Sequence, residues 1–159
     1  MPHFIGKQLF ALAFLTVIQI FPPEPSVAYL QSSDSTRNTP SAAMGPIELL
    51  TPPEGLDFAP FMHSVYVSIK REWFAGMPPS LEKGNKGVVS IRFEVQQDGK
   101  VPGDSLKIEF SSGKKELDDA GLNAVRNAAP FDHLPAKFSQ TFIELRMTFY
   151  YNLAPPKKP

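Results

Sequence analysis

The sequence predicts an α+β sandwich. A three-stranded antiparallel/mixed sheet carries two helices on one face, in the order helix, strand, strand, helix, strand. Three observations lead there. Residues 58 to 73 repeat apolar side chains every three or four positions, the period of one helix face. Residues 87 to 96, 105 to 110 and 142 to 152 alternate apolar and polar residues, the period of a strand with one buried side. A second helical stretch falls between the second and third strands. A helix in that place returns the chain to the same end of the sheet, so those two strands run parallel. The first strand then sits between them, antiparallel to both, with a right-handed crossover.

The first helix is set up by Asp57, a capping residue, and by Pro60, whose missing N–H costs little in a first turn. Phe58, Phe61, Met62, Val65, Ile69 and Trp73 make its apolar stripe, and Ser64, Ser68, Lys70 and Arg71 fall away from it. GMPPSLEKGNKG, residues 76 to 87, ends the helix in a run of breakers. In the first strand Val89, Ile91, Phe93 and Val95 share one face, opposite Ser90, Arg92, Glu94 and Gln96. Asp98-Gly99 signals a hairpin, because glycine tolerates positive φ. Leu106, Ile108 and Phe110 are expected on the apolar face of the second strand.

Ser111-Ser112-Gly113 ends that strand, and the second helix starts near Lys115. Glu116, Asp118 and Asp119 lie in its first turn, where the partial positive charge of a helix start favours carboxylates. Leu117, Ala120, Gly121, Ala124, Val125 and Ala128 form a small-residue face suited to close packing, and Pro130 stops the helix. In the last strand Ile143, Leu145, Met147, Phe149 and Tyr151 alternate with Phe142, Glu144, Arg146, Thr148 and Tyr150. That strand lies at the sheet edge, with half its backbone donors and acceptors unpaired by the domain.

The N-terminal third reads differently. Residues 1–28 carry Lys7, a mostly apolar run from Leu9 to Phe21, and Ser26-Val27-Ala28 before Tyr29, the order of an export signal. The 13-residue run is shorter than the about 20 needed to cross a hydrocarbon layer. A cleaved signal peptide and a retained membrane anchor both stay open. Residues 29–55 are a Pro-rich flexible linker. Counted from residue 22, seven of 34 positions are proline, and fully extended they reach at most about 110–120 Å. IELL, residues 47 to 50, is the one sticky patch, able to dock on the folded part. The folded domain spans 56–152, and 153–159 are a disordered tail.

Composition narrows the function. The 159 residues hold 16 basic and 16 acidic side chains, with no basic surplus to neutralise phosphates, which argues against nucleic acid. The absence of cysteine excludes disulfides, thiolate catalysis and Cys-ligated zinc. Ser111 or Ser112 with His133 and an aspartate has the residue types of a nucleophile set, but no G-x-S-x-G accompanies them. Capping and turn-making explain both serines. Adjacent Asp118 and Asp119 point about 100° apart on a helix, which defeats a paired acid–base reading. His3, His63 and His133 lack ligand spacing, and Gly84-Asn85-Lys86-Gly87 lacks that of a phosphate loop. No enzyme, metal site or cofactor is predicted.

The helix ending in VYVSIKREW, the hairpin GVVSIRFEVQQDGKV, the stretch IEFSSGKKELDDAGLNAVRNAAPFDHLP and the closing IELRMTFYYN together resemble the C-terminal domain of the TonB and TolA family. Asp98-Gly99, Ser111-Ser112-Gly113, Leu117-Asp118, Ala124-Val125, Pro130-Phe131, Leu134-Pro135 and Tyr151-Asn152 carry the resemblance, in order and spacing over about 95 residues. The Tyr-Pro motif and the long Glu-Pro and Lys-Pro runs of well-known members are missing. The resemblance implies a periplasmic arm that couples an inner-membrane motor to an outer-membrane receptor, whose peptide adds as a strand at residues 142 to 150. Phe142, Glu144, Leu145, Arg146, Thr148 and Tyr150 are the expected partner-binding residues, and proline at Leu145 is expected to weaken binding. A soluble exported adaptor that uses the same edge for other partners or for a homodimer is the alternative.

Overall fold

The computed structural model describes residues 40–157. The expected signal or anchor at 1–28 lies outside them. Among the described residues, no helix is long and apolar enough to cross a membrane.

The elements follow the predicted order, with two additions at the front. Strands β1 (Ala42–Met44) and β2 (Glu48–Leu49) precede helix α1 (Ala59–Ala75). Strand β3 (Gly87–Gln96), strand β4 (Lys107–Phe110), helix α2 (Lys115–Ala128) and strand β5 (Phe142–Tyr151) follow. The sheet runs β1-β5-β3-β4, with β2 also paired to β5. β3 is antiparallel to both β4 and β5, as the crossover argument requires. The sheet therefore has five strands, because residues read as linker pair along β5.

Its two faces differ in chemistry. Val89, Ile91, Phe93 and Val95 of β3 and Ile143, Leu145, Met147, Phe149 and Tyr151 of β5 are fully buried in one cluster. The stripe Phe61, Val65, Ile69 and Trp73 of α1 and the small-residue face of α2 complete that cluster. Gly121 shows why α2 needs small residues: a Cβ there would lie 2.9 Å from Ile91 Cδ1. Trp73 and Tyr151 are buried polar aromatics with partners. Trp73 Nε1–H donates to the Tyr151 hydroxyl at 2.7 Å, and that hydroxyl donates to Leu117 O at 3.0 Å. Burial raises the Tyr151 pKa, so this hydroxyl stays a donor across the physiological range.

Local chemistry accounts for the boundaries. Ala59 N–H donates to Asp57 Oδ1 at 2.9 Å, so Asp57 serves the helix start from one residue before the N-cap, Phe58. Gly99 takes φ +80°, and a Cβ on it would come within 2.0 Å of Phe131 O. Only glycine lets this turn approach residues 131–134, where Phe131 N–H donates to Gly99 O at 2.8 Å.

The second predicted strand is corrected in two ways. It begins at Lys107, because Pro102 and Gly103 keep the chain irregular after the turn. Its expected apolar face is open: Ile108 is 38% and Phe110 59% exposed. The register between β3 and β4 slips by one residue, with Ser90 opposite Phe110 but Ile91 opposite Ile108. Such a bulge re-aims the side chains beyond it, and this strand is the outermost of the sheet.

Candidate partner-binding edge

The site begins with the alternation of β5. Odd-numbered residues turn their side chains into the core, and even-numbered ones turn theirs to the open face of the sheet. Backbone polar groups alternate in step along an antiparallel strand. Gly45 N–H donates to Thr148 O at 2.8 Å and Leu50 N–H to Glu144 O at 2.8 Å. Asn152 N–H donates to Ser41 O at 2.6 Å. Even-numbered residues thus direct their amides and carbonyls away from β3, toward the sheet margin.

Five of the six expected partner-binding residues share that geometry. Phe142, Glu144, Arg146, Thr148 and Tyr150 lie on the open face, and Phe142 is 39% exposed. Leu145 does not belong with them. Its side chain is fully buried, and by the alternation its N–H faces β3, where Phe93 is its partner. Proline at Leu145 would break the interior ladder, so it is no test of the margin.

The margin is not free. The unpaired edge expected for the last strand is occupied by residues 41–51 of the same chain, antiparallel to β5. Ala42, Ala43 and Met44 pair with Tyr151, Tyr150 and Phe149, and Glu48 and Leu49 pair with Arg146 and Leu145. Between the two runs, residues 45–47 face only Thr148 and Met147, so the segment carries one extra residue. Pro46, which has no N–H to donate, lies within this bulge. Ala42, Met44, Ile47 and Leu49 are partly buried against the core, extending its apolar face past β5. IELL docks as its composition suggested.

Both ends of this cover are fastened by side chains. At one end Ser41 N–H donates to Asn152 Oδ1 at 2.7 Å, while Asn152 Nδ2 donates to Leu81 O at 2.9 Å and Asn85 O at 2.7 Å. At the other, Glu144 N–H donates to Thr51 Oγ1 at 2.8 Å. Glu54 then accepts from Ser139 N–H at 3.0 Å, Ser139 Oγ at 2.7 Å and Gln140 Nε2 at 3.1 Å. The Ser139 hydroxyl, followed by its N–H and Gln140, lowers the Glu54 pKa.

The open face above this margin is charged. Arg92 lies directly opposite Arg146, a repulsive pairing across two strands. Acids relieve it: Arg92 forks onto both carboxylate oxygens of Glu144. Arg146 grips Glu109 of β4 with two nitrogens and reaches Glu48 of the cover with Nη1 at 3.0 Å. Its pKa is raised by Glu109 first and Glu48 second. Glu109 is lowered correspondingly, chiefly by its hydrogen bonds from Arg146. Ser90 and Thr148 hydroxyls meet at 3.3 Å beside this array.

The serines and acids that resembled a nucleophile set build a bend. Asp118 is 8% exposed and accepts from Ser111 Oγ at 2.5 Å, Ser112 N–H at 2.9 Å and Ser112 Oγ at 2.7 Å. Burial pushes its pKa up, but the three donors outweigh burial and leave it below the ordinary value. Ser112 Oγ also accepts from Lys114 N–H at 3.1 Å, tying the end of β4 to the start of α2. Among the described residues, no three His, Cys, Asp or Glu gather as a metal set. A shallow hollow of about 340 Å³ is lined by Gln96, Gln97, Asp98, Thr141 and Phe142, and holds neither serine nor histidine.

The family described as TonB C terminal matches residues 58–149, more than half of the chain. The solution structure of the TonB C-terminal domain of Helicobacter pylori is similar at 21% identity. That likeness covers 64% of this chain and 88% of that one, with a TM-score of 0.47. No curated protein matches the chain.

Proposed function

This chain belongs to the TonB C-terminal family, and we propose that it binds an extended segment of a partner protein by strand addition to the β5 margin. The recognition surface is the outward backbone of Glu144, Arg146, Thr148 and Tyr150, with their side chains and Phe142 on the open face. Ladder hydrogen bonds would give affinity, and the charged and aromatic side chains would give selectivity. The reading extends to an exported periplasmic protein whose partner is an outer-membrane receptor peptide. Coupling to an inner-membrane motor then depends on a retained N-terminal anchor.

One observation carries the proposal: the margin already accepts a strand, since residues 42–44 and 48–49 pair there. The test is photo-crosslinking in the native cell from a benzophenone residue at Thr148, with the same residue at exposed Val67 of α1 as control. The reading expects a crosslink from position 148 to one discrete peptide of an envelope protein, and none from position 67. Equal capture at both positions would overturn it. N-terminal sequencing of the native protein decides the anchor, because a chain that starts at Tyr29 has none.

A further inference from the structure

We propose that residues 41–51 are an exchangeable stand-in for the partner strand, which must displace them, and that their contacts specify the partner's chemistry. This rests on the strand-addition reading. Three features of the segment point to exchange. Its pairing is interrupted, because residues 45–47 bulge against Met147 and Thr148 and Pro46 has no N–H to donate. Its apolar side chains are only partly buried, whereas those of β5 beneath them are fully buried. Its fastenings at Asn152 and at Glu54 lie outside the ladder, so the middle can open before the ends.

The contacts also describe what should replace it. The incoming strand runs antiparallel to β5. It places small or aliphatic residues opposite Tyr151, Phe149, Met147 and Leu145, where Ala42, Met44, Ile47 and Leu49 now cover the core. It places an acidic residue opposite Arg146, where Glu48 now sits. A strand without the extra residue pairs straight through Thr148 and Met147 and replaces the bulge at residues 45–47 with a regular ladder. The partner is thus an uninterrupted aliphatic strand with one acid at a fixed place, three residues beyond the one that replaces Met44.

The intact chain tests this with a fluorescent decapeptide, SAAMVIELLT, which is the resident sequence with the bulge closed. Binding by fluorescence anisotropy is expected to the native chain. It should tighten about tenfold in Leu49→Asp, whose cover is loosened. It should weaken about tenfold in a chain that carries Pro46→Val with Gly45 deleted, whose own cover now pairs continuously, since one or two ladder bonds separate the states. A peptide with lysine in place of its glutamate should also bind about tenfold more weakly, through repulsion by Arg146. Circular dichroism confirms that each variant is folded. If affinity is the same across the cover variants, exchange is wrong, while strand addition survives elsewhere on the sheet. If even Leu49→Asp fails to bind the peptide, strand addition at β5 falls with it.

Discussion

The two margins of this sheet are built on opposite plans. β4 presents four residues, one bulge and Lys107 to solvent, with nothing beside it among the described residues. β5 presents ten residues in unbroken register with β3, and its outer side is covered. A short, kinked, charged edge resists unwanted pairing by itself, whereas a long flat edge invites it. The comparison teaches that the cover is needed where the edge is good. The same regularity that suits β5 to the proposed partner strand makes it hazardous when bare, and residues 41–51 answer both needs if they can leave.

Predictions follow from disturbing each margin. The largest effect belongs to the β4 side. Gly99→Ala forces a Cβ against Phe131 O at positive φ, and should cost about 2–3 kcal/mol in urea unfolding. Asp118→Ala, at the bend that joins β4 to α2, should cost about 2 kcal/mol, because Ser112 N–H and two hydroxyls lose their acceptor. The pH dependence has a definite sign. The Asp118 pKa is lower folded than unfolded, so its stabilisation is complete above about pH 4 and fades as pH falls through the folded value. The native chain should therefore lose stability below that pH more steeply than Asp118→Asn does.

The β5 side responds to smaller stability changes with a different outcome. Leu49→Asp should cost only about 1 kcal/mol, since the side chain is partly buried, yet it should produce dimers or larger species in light scattering. Ile108→Asp on the bare margin should leave the chain in its native oligomeric state. The smallest effect is expected for Glu48→Gln, which releases one contact from Arg146. The cover should open slightly more often, and the difference from the native chain should vanish at high salt.

Much of this was legible in the sequence, for reasons that particular residues show. The stripe from Phe61 to Trp73 and the alternation from Ile143 to Tyr151 have long, regular periods, and each became the expected element. Ser111, Ser112 and Asp118 were readable as bend and helix start because short polar side chains bond nearby backbone. β4 was legible only in part. Its alternation placed Ile108 and Phe110 inward, but a one-residue bulge at Ser90–Ile91 and a place at the rim leave them exposed. The cover escaped because Ser-Ala-Ala-Met and Ile-Glu-Leu-Leu are too short and too interrupted by Gly45-Pro46 to announce strands. Their pairing is set by β5, a hundred residues away. Leu145 was misassigned for a related reason: a strand's amide direction depends on which neighbour lies on which side, and that is a property of the assembled sheet.

Native-state hydrogen exchange on the intact chain tests the central claim most directly, because neighbouring amides of one strand report on different sides. Exchange by release of the cover alone predicts that the amides of Glu144, Arg146, Thr148 and Tyr150 exchange at least about a hundredfold faster than those of Leu145, Met147 and Phe149, which open only with the whole domain. Equal protection of the two sets would mean that residues 41–51 are an inseparable part of the sheet, and would contradict the account.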